Sequence, residues 1–320
     1  MSPEYKEYIE KEIKPFLDKV EEGDIYSKDN VRLHYYQAIN PNEKASIVMI
    51  HGFSEFFGKH HENACRFYQA GYSIFFLELR GHGKSERTDH YNDSRVHVSD
   101  FEEYVQDVHS FMDIVKKESK TKQYFLYAHS MGGAVSTLFL EEYPDVFRCA
   151  VLSSPMLEMN YGNIPNIAVD ALSTYSKVAF DDEEYGPGQK SFTGIVDFEN
   201  SSMLDKDRYE YQFSQRLNHK EYQTWGGTWS WIRAGKEATS KILKNVKKIQ
   251  TPILLLQAEN DSMVKAEGQN IFDQKNMNVT LLEYKGSKHE IFNATKDIRE
   301  QYYKDVIDYF NAHVKRHVNF

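Results

Sequence analysis

The sequence has little of what would assign it to several large classes of protein. Among its 320 residues are only two cysteines, Cys65 and Cys149, too few for a disulfide framework or a cysteine metal site. No apolar run approaches the length of a membrane span. The opening MSPEYKEYIEKEIKPF is charged throughout, so no signal peptide is readable. We therefore expect two buried thiols in a cytoplasmic protein.

An excess of positive charge is also missing. The formal net charge is −9, which argues against a nucleic-acid-binding protein and against attachment to anionic lipid by charge alone. We find no internal repeat and no linker rich in proline, glycine or serine. The length suits one large α/β domain or two ordinary ones.

Aromatic residues, by contrast, are abundant. They make up 14% of the chain, with 22 Tyr, 20 Phe and three Trp. Aromatic side chains at this density can simply fill a core. Their placement is uneven, however, because Trp225, Trp229 and Trp231 lie within one short segment. This clustering favours a pocket for an apolar ligand.

Short apolar runs alternate with amphipathic stretches along most of the chain, which predicts an α/β fold. Runs without polar residues are typical of strands buried on both faces of a parallel sheet. The predicted architecture is a mostly parallel central sheet flanked by helices. The predicted strands are 31–38, 45–50, 72–79, 124–127, 149–153, 251–258 and 279–284.

This alternation stops between residues 156 and 240. The segment contains acidic and glycine-rich stretches and all three tryptophans. We interpret it as an inserted, mainly helical cap over a core formed by residues 1–155 and 241–320. Its candidate substrate-binding residues are Trp225, Trp229, Trp231 and Arg233. Three cap arginines can meet a phosphate, although solvated side chains are the more common case: Arg208, Arg216 and Arg233.

Two further segments allow alternatives. Residues 1–20 form an amphipathic helix that can lie on a membrane surface, but its acidic polar face favours docking on the protein body. The glycine-punctuated loop 80–85 lacks the spacing of a phosphate-binding loop, so we predict a tight structural turn. His82 within that turn is expected to be structural.

The segment QYFLYAHSMGGAVST, residues 123–137, places Ser130 where a buried strand runs directly into a helix. Such a sharp turn requires very small residues two positions before and after the serine, and Ala128 and Gly132 satisfy this. The pattern matches the nucleophile elbow G-x-S-x-G with alanine in the first glycine position. A tightly packed helix start without chemistry is the alternative.

A catalytic serine requires a histidine to accept its proton and a carboxylate to orient that histidine. In this fold the acid and then the histidine follow the serine, each at a strand end. Of 13 histidines, His289 directly follows the last predicted strand. Asp261 is the predicted acid, with Glu259 as the alternative. The later histidines, His313 and His317, are predicted to lie at the surface.

The oxyanion formed during such a reaction needs two backbone N–H donors. One is expected from Met131, directly after the serine. The other is expected from Phe53, in the loop after the strand that ends at Ile50.

Several motifs together resemble the monoacylglycerol lipase and lysophospholipase branch of the α/β hydrolases, and most closely the bacterial lysophospholipase L2 type. Ala128 and Glu78 depart from the usual glycine and aspartate. The resemblance implies hydrolysis of a small-molecule acyl ester through an acyl-enzyme on Ser130, without a metal or organic cofactor. The motifs are residues 51–55, 79–85, 129–133, 226–231, 259–264 and 286–290.

Two other functions remain open at this stage. Related sequences act as serine aminopeptidases, and a catalytically silent binding scaffold can use the same fold. Transient contact with a membrane surface is a further expectation. The sequence leaves the oligomeric state, the head group and the acyl length open.

Overall fold

The computed structural model describes residues 1–91, 93–162, 175–176 and 180–315. An eight-stranded sheet with the order β1-β2-β4-β3-β5-β6-β7-β8 forms its centre. The strands are β1 Glu21–Tyr26, β2 Arg32–Ala38, β3 Ser46–Ile50, β4 Ser73–Leu77, β5 Tyr124–His129, β6 Cys149–Ser153, β7 Ile253–Ala258 and β8 Val279–Tyr284.

From β4 to β8 the neighbouring strands are parallel, whereas β1–β2 and β2–β4 pair antiparallel. The mostly parallel sheet predicted from the sequence is confirmed. Every residue of β3, β4, β6 and β7 is buried, as expected for strands covered on both faces. Strand β1 was not predicted from the sequence, because EEGDIY is acidic and half-exposed at the edge of the sheet.

Helices cover both faces of the sheet. One buried cluster lies against the helices Phe101–Glu118, Met131–Glu142 and Trp229–Asn245, and the other lies against His61–Gln69 and Lys296–His313. Within the described ranges, no helix is long and apolar enough to cross a bilayer. The α-helices are α1 Pro3–Tyr8, α2 Lys14–Leu17, α3 His61–Gln69, α4 Phe101–Glu118, α5 Met131–Glu142, α6 Lys206–Asn218, α7 Trp229–Asn245, α8 Ala266–Lys275 and α9 Lys296–His313.

The N-terminal segment docks on the protein body. A π-helical turn, Ile9–Ile13, joins α1 to α2. Ile13 and Phe16 are buried, and the Tyr5 ring lies 6.2 Å from the ring of Tyr211 in α6. The segment therefore contacts both the core and α6.

The loop after β4 is a structural turn, as predicted. Gly81 and Gly83 adopt φ angles of 76° and 53°, which favour glycine. Arg80 is buried and donates to Asp107 at 2.6 and 2.9 Å and to Asp29. These ion pairs hold the turn against α4.

The region predicted as a cap lies between β6 and β7. Its described residues contain α6 and most of α7, joined by irregular stretches. The predicted boundary at residue 240 falls inside α7, because Ala238 and Ile242 of this helix both pack into the main core. The division into a core and a cap remains a prediction.

Candidate active site

Ser130 lies at the turn between β5 and α5. Its backbone has φ 52° and ψ −119°, a combination that is sterically costly for a residue with a side chain. Neighbouring strands hold this conformation. The Ser130 N–H donates to Ser153 O at 3.1 Å, and Met156 N donates to Ser130 O at 2.9 Å. The strain is thus imposed by the sheet.

Close packing explains the small residues around Ser130. A Cβ atom at Gly132 would overlap the carbonyl oxygens of Ile50 and His51, and one at Gly133 would lie 2.5 Å from Pro155 Cβ. Gly52 approaches the serine so closely that an added Cβ would be 3.0 Å from Ser130 Cβ. The loop after β3 is therefore pressed against the serine turn.

His289 and Asp261 are brought to Ser130 from the ends of β8 and β7. His289 Nε2 lies 2.9 Å from Ser130 Oγ, and His289 Nδ1 lies 2.7 Å from Asp261 Oδ2. Glu259 points elsewhere, since its carboxylate accepts the N–H of Gly286 at 2.7 Å. The structure thus selects Asp261 over Glu259 as the partner of His289.

Asp261 is held as a carboxylate. Burial alone would raise its pKa, but the hydrogen bond and charge interaction with His289 and the N–H groups of Val264 and Met263 outweigh this effect. Those N–H groups donate to Asp261 Oδ1 at 3.1 and 2.8 Å. The pKa of Asp261 therefore lies below its usual value, and the carboxylate can orient His289 and stabilise its cation.

The two predicted oxyanion donors lie on either side of the serine turn. Met131 begins α5, where first-turn N–H groups have no acceptor within the helix. Phe53 follows Gly52 in the loop pressed against Ser130, and its ring contacts Trp231 with centroids 4.3 Å apart. Their role as donors remains a prediction.

A buried ionic network beside the serine was missed by the sequence analysis. Lys59 Nζ lies 2.6 Å from Glu55 Oε1 and 2.8 Å from Glu290 Oε1. Glu55 Oε2 also accepts the Gly52 N–H at 2.6 Å, and Glu55 Oε1 lies 3.1 Å from His129 Nδ1. The network links the Gly52 loop, the residue before Ser130 and the residue after His289. The i, i+4 spacing of Glu55 and Lys59 was the available signal in the sequence.

All three charged members of this network are ionised. Burial would raise the pKa of each carboxyl, but Lys59 holds the pKa of Glu290 below its usual value, and His129 and Lys59 hold that of Glu55 well below it. Burial would lower the pKa of Lys59, and the two carboxylates raise it instead.

The two departures from the family pattern are accommodated. Ala128 is fully buried. Glu78 accepts the N–H groups of Phe57 at 3.1 Å and Lys84 at 2.6 Å, and burial raises the pKa of its carboxyl to about 7. Glu78 therefore connects the loop after β3 to the turn after β4.

A cavity of about 390 Å³ opens over Ser130 and His289. One part of its wall is polar and includes Lys59, Glu290 and Arg216. The apolar part comes mainly from the region 195–225, with contributions from two core loops. Its apolar lining residues are Phe53, Ile195, Met203, Tyr209, Phe213, Trp225 and Met263. Such a cavity can hold an apolar chain beside the serine.

Of the four residues predicted to bind substrate, only Trp225 lines this cavity. Trp231 is buried in the main core, and its backbone N–H donates to the side chain of Thr228, which caps α7. Trp229 stacks on Phe180, with ring centroids 5.0 Å apart. Arg233 donates to Ser176 Oγ at 2.9 Å and pairs with Asp182. The structure does not bring these three to the cavity.

The expectation that the cap arginines are solvated is wrong, since all three are buried. Arg208 pairs with Glu62 at 2.8 Å and with Asp205 at 2.9 Å. Arg216 differs, because its two hydrogen bonds go to backbone carbonyls, Thr224 O at 2.6 Å and Ser54 O at 2.7 Å. A guanidinium can reach these partners only after the chain has folded, so the sequence did not reveal them.

Other candidate ligands are not gathered into a site. Cys65 and Cys149 are free and buried, as predicted. In the part of the chain that the structure describes, no group of three or more His, Cys, Asp or Glu side chains is arranged to hold a metal ion. His313 lies in α9 with its Nδ1 2.8 Å from Tyr309 O, and His317 lies outside the described residues.

Comparison with known proteins places this geometry in a family. Residues 41–296 match the family described as Serine aminopeptidase, S33. A probable lysophospholipase L2 from Haemophilus influenzae is 26% identical, covering 97% of this chain and 98% of the relative. The human monoglyceride lipase is 26% identical over 82% of this chain and 81% of its own length.

Solved structures agree on the fold. The crystal structure of Paleococcus ferrophilus monoacylglycerol lipase has a TM-score of 0.68 at 22% identity, covering 88% of this chain and 99% of that protein.

The sheet topology and the serine turn define a serine hydrolase with the α/β-hydrolase fold. Since the family model covers more than half of the sequence, the chain belongs to the Serine aminopeptidase, S33 family. The resemblance predicted from the motifs is thereby confirmed.

Proposed function

We propose that the protein hydrolyses carboxylic esters of single-chain acyl lipids, lysophospholipids or monoacylglycerols, through an acyl-enzyme on Ser130. The observation that carries this proposal is the continuous chain Asp261–His289–Ser130, with distances of 2.7 and 2.9 Å, beneath a largely apolar cavity. The names of the relatives, lysophospholipase L2 and monoglyceride lipase, support the lipid substrate.

The reaction follows from these positions. Ser130 Oγ bonds to the ester carbonyl carbon while His289 Nε2 accepts its proton, and Asp261 stabilises the resulting imidazolium. The N–H groups of Phe53 and Met131 stabilise the oxyanion. The carbon–oxygen bond to the alcohol then breaks, and the alcohol leaves with the proton from His289. Water repeats the sequence on the acyl-enzyme, releasing the fatty acid and restoring Ser130.

The direct test measures fatty-acid release from lysophosphatidylcholine and monoacylglycerol by the wild-type protein and by Ser130→Ala. We expect the wild type to hydrolyse at least one of these lipids, and the variant to lose several orders of magnitude in turnover. Labelling by a fluorophosphonate probe should also disappear in the variant. An active Ser130→Ala preparation would show that the nucleophile is misassigned, and an unlabelled, inactive wild type would indicate a binding scaffold.

The family description makes peptide hydrolysis the second candidate. An aminopeptidase needs an anionic group to hold the substrate amine. The carboxylates that line the cavity already have partners, since Glu55 and Glu290 are engaged by Lys59 and Asp197 accepts hydrogen bonds from the Asn200 amide. This arrangement favours the esterase. Faster turnover of aminoacyl-naphthylamides than of matched esters would reverse the preference.

We also propose transient contact with a lipid surface around the cavity mouth. Three apolar lining residues are exposed there, Ile195 by 71%, Met263 by 55% and Trp225 by 39%. A lipid surface would cover these side chains while a substrate enters. Sedimentation with phosphatidylcholine vesicles should fall when Ile195 and Met263 are both changed to Ser, and unchanged sedimentation would contradict the contact.

A further inference from the structure

Arg216 differs from the other buried arginines of α6 and α7 in its position. It lines the cavity that contains Ser130 and His289, and it donates to the carbonyl of Ser54. Ser54 directly follows Phe53, the predicted oxyanion donor. Arg216 thus belongs to the polar part of the wall of the cavity that contains Ser130.

The charge of Arg216 is not neutralised by a partner. Among the described residues no carboxylate lies within ion-pair distance of it, whereas Arg208 pairs with Glu62 and Asp205 and Arg233 pairs with Asp182. Glu55 and Glu290 are near enough to influence Arg216, but both carboxylates hold Lys59. Burial lowers the pKa of Arg216 to about 10, so the group remains charged at neutral pH.

Burying a cation without a counterion is unfavourable, because the protein does not replace the solvation that the charge loses. A charged group with a perturbed pKa that lines a cleft is a candidate for a binding or active site. The rings of Phe56 and Trp225 lie 4.9 and 5.1 Å from the guanidinium carbon and fix its plane. Its two hydrogen bonds leave N–H groups of the planar fork unused.

The unused donors suit a phosphate better than an alcohol. A guanidinium binds two phosphate oxygens with matched geometry and opposite charge. In a lysophospholipid only the glycerol unit separates the phosphate from the scissile ester, so one cavity can hold both groups. A monoacylglycerol carries hydroxyl groups at that place and leaves the charge unpaired.

We propose that Arg216 binds the phosphate of a lysophospholipid head group and so selects this class over monoacylglycerols. The inference rests on the proposed function, since it names the substrate of the same site. The acyl chain lies along the apolar lining residues, and the phosphate is held between Arg216 and the solvent at the cavity mouth.

The first test compares kcat/KM for lysophosphatidylcholine and monoacylglycerol with the same acyl chain, both as monomers. In Arg216→Met the ratio of kcat/KM for lysophosphatidylcholine to that for monoacylglycerol should fall about 10- to 100-fold, the range for a lost charge-assisted hydrogen bond. Arg216→Lys should retain part of the wild-type preference for lysophosphatidylcholine. Arg208→Met is the matched control, because it removes a paired arginine of the same helix outside the cavity. Its ratio should equal that of the wild type.

A parallel fall on both lipids in Arg216→Met would mean that Arg216 only supports the Ser54 loop, and this would overturn the proposal. An unchanged ratio would do the same. If Arg216→Met does not fold, the proposal is tested by the ratio measured for Arg216→Lys and by the inhibition of the wild type described next. If the wild type cleaves neither lipid, the proposed function fails by itself, and the inhibition still tests the phosphate site.

That second test measures inhibition of nitrophenyl ester turnover in the wild type. Glycerophosphocholine should inhibit competitively, glycerol should not, and the inhibition should weaken about tenfold or more in the Arg216 variants. Inhibition by inorganic phosphate but not by glycerophosphocholine would indicate a free-anion site and refute the head-group assignment. The absence of inhibition by either compound would refute the site itself.

Discussion

Lys59→Met removes the lysine of the Glu55–Lys59–Glu290 network and leaves a side chain of similar length. In the wild type, Lys59 lies 2.6 and 2.8 Å from the two buried carboxylates. Breaking a buried ion pair on one side in general costs about 3–5 kcal/mol. We expect a loss of this size in the free energy of unfolding at about pH 8, where both carboxyls must be charged.

The pH dependence of this loss distinguishes the mechanism. In the wild type the carboxyl pKa values are lowered and the Lys59 pKa is raised. The stabilisation is therefore lost only as the pH falls through the folded carboxyl values or rises through that of the lysine. In Lys59→Met two buried carboxylates face each other, so the pKa of one must rise. That carboxyl contributes to the free energy of unfolding at low pH, where it is protonated, and this contribution is lost as the pH rises.

The free energy of unfolding of the variant should consequently be closest to that of the wild type near pH 5 and furthest below it near pH 8. The reason is that the carboxyl with the raised pKa must ionise as the pH rises. Urea unfolding followed by tryptophan fluorescence at several pH values measures this difference. Lys11→Met is the matched control, because Lys11 forms an exposed i, i+4 pair with Glu7 at 2.5 Å and should change stability little. Equal destabilisation at all pH values, or a loss no larger than in the control, would refute the reasoning.

Three further predictions concern variants of the active site and its cavity. Asp261→Asn should lower kcat on nitrophenyl esters about 10³- to 10⁴-fold with little change in KM, because the histidine loses its orienting carboxylate; a larger loss in Glu259→Gln would contradict the assignment. Gly132→Ala forces a methyl group into the carbonyl oxygens at the end of β3 and should destabilise by about 1–3 kcal/mol; urea unfolding with no measurable loss would contradict the close packing. Trp225→Ala should raise KM for long acyl esters more than for short ones, whereas Trp231→Ala should cost about 3–5 kcal/mol of stability without a chain-length effect. If Trp231→Ala changed the chain-length dependence while Trp225→Ala lowered the stability, the placement of Trp225 in the cavity wall and of Trp231 in the core would be wrong.

The sequence by itself determined most strands of the sheet and pointed to Ser130 as the candidate nucleophile. Short apolar runs bounded by turns, such as residues 253–256, are typical of buried strands. Ser130 was identifiable because the turn that exposes it tolerates only small neighbours, and Gly132 shows this requirement. The order of serine, acid and histidine along the chain then restricted the choice to very few side chains.

The acidic strand β1 was not identifiable in the same way. Its pairing with β2 is satisfied by backbone hydrogen bonds between half-exposed residues, which leave no apolar alternation in the sequence. Edge strands depend less on side-chain burial than central strands do.

Only the tertiary structure decided which charged and aromatic side chains reach the cavity. Trp225 and Trp231 are six positions apart, yet one lines the cavity and the other lies in the core. Arg208 and Arg216 share one helix, yet one is neutralised by Glu62 and the other is held by carbonyl groups. Local sequence patterns set the conformation of each segment, but the partner of a buried charge comes from distant parts of the chain and is fixed only when those segments pack.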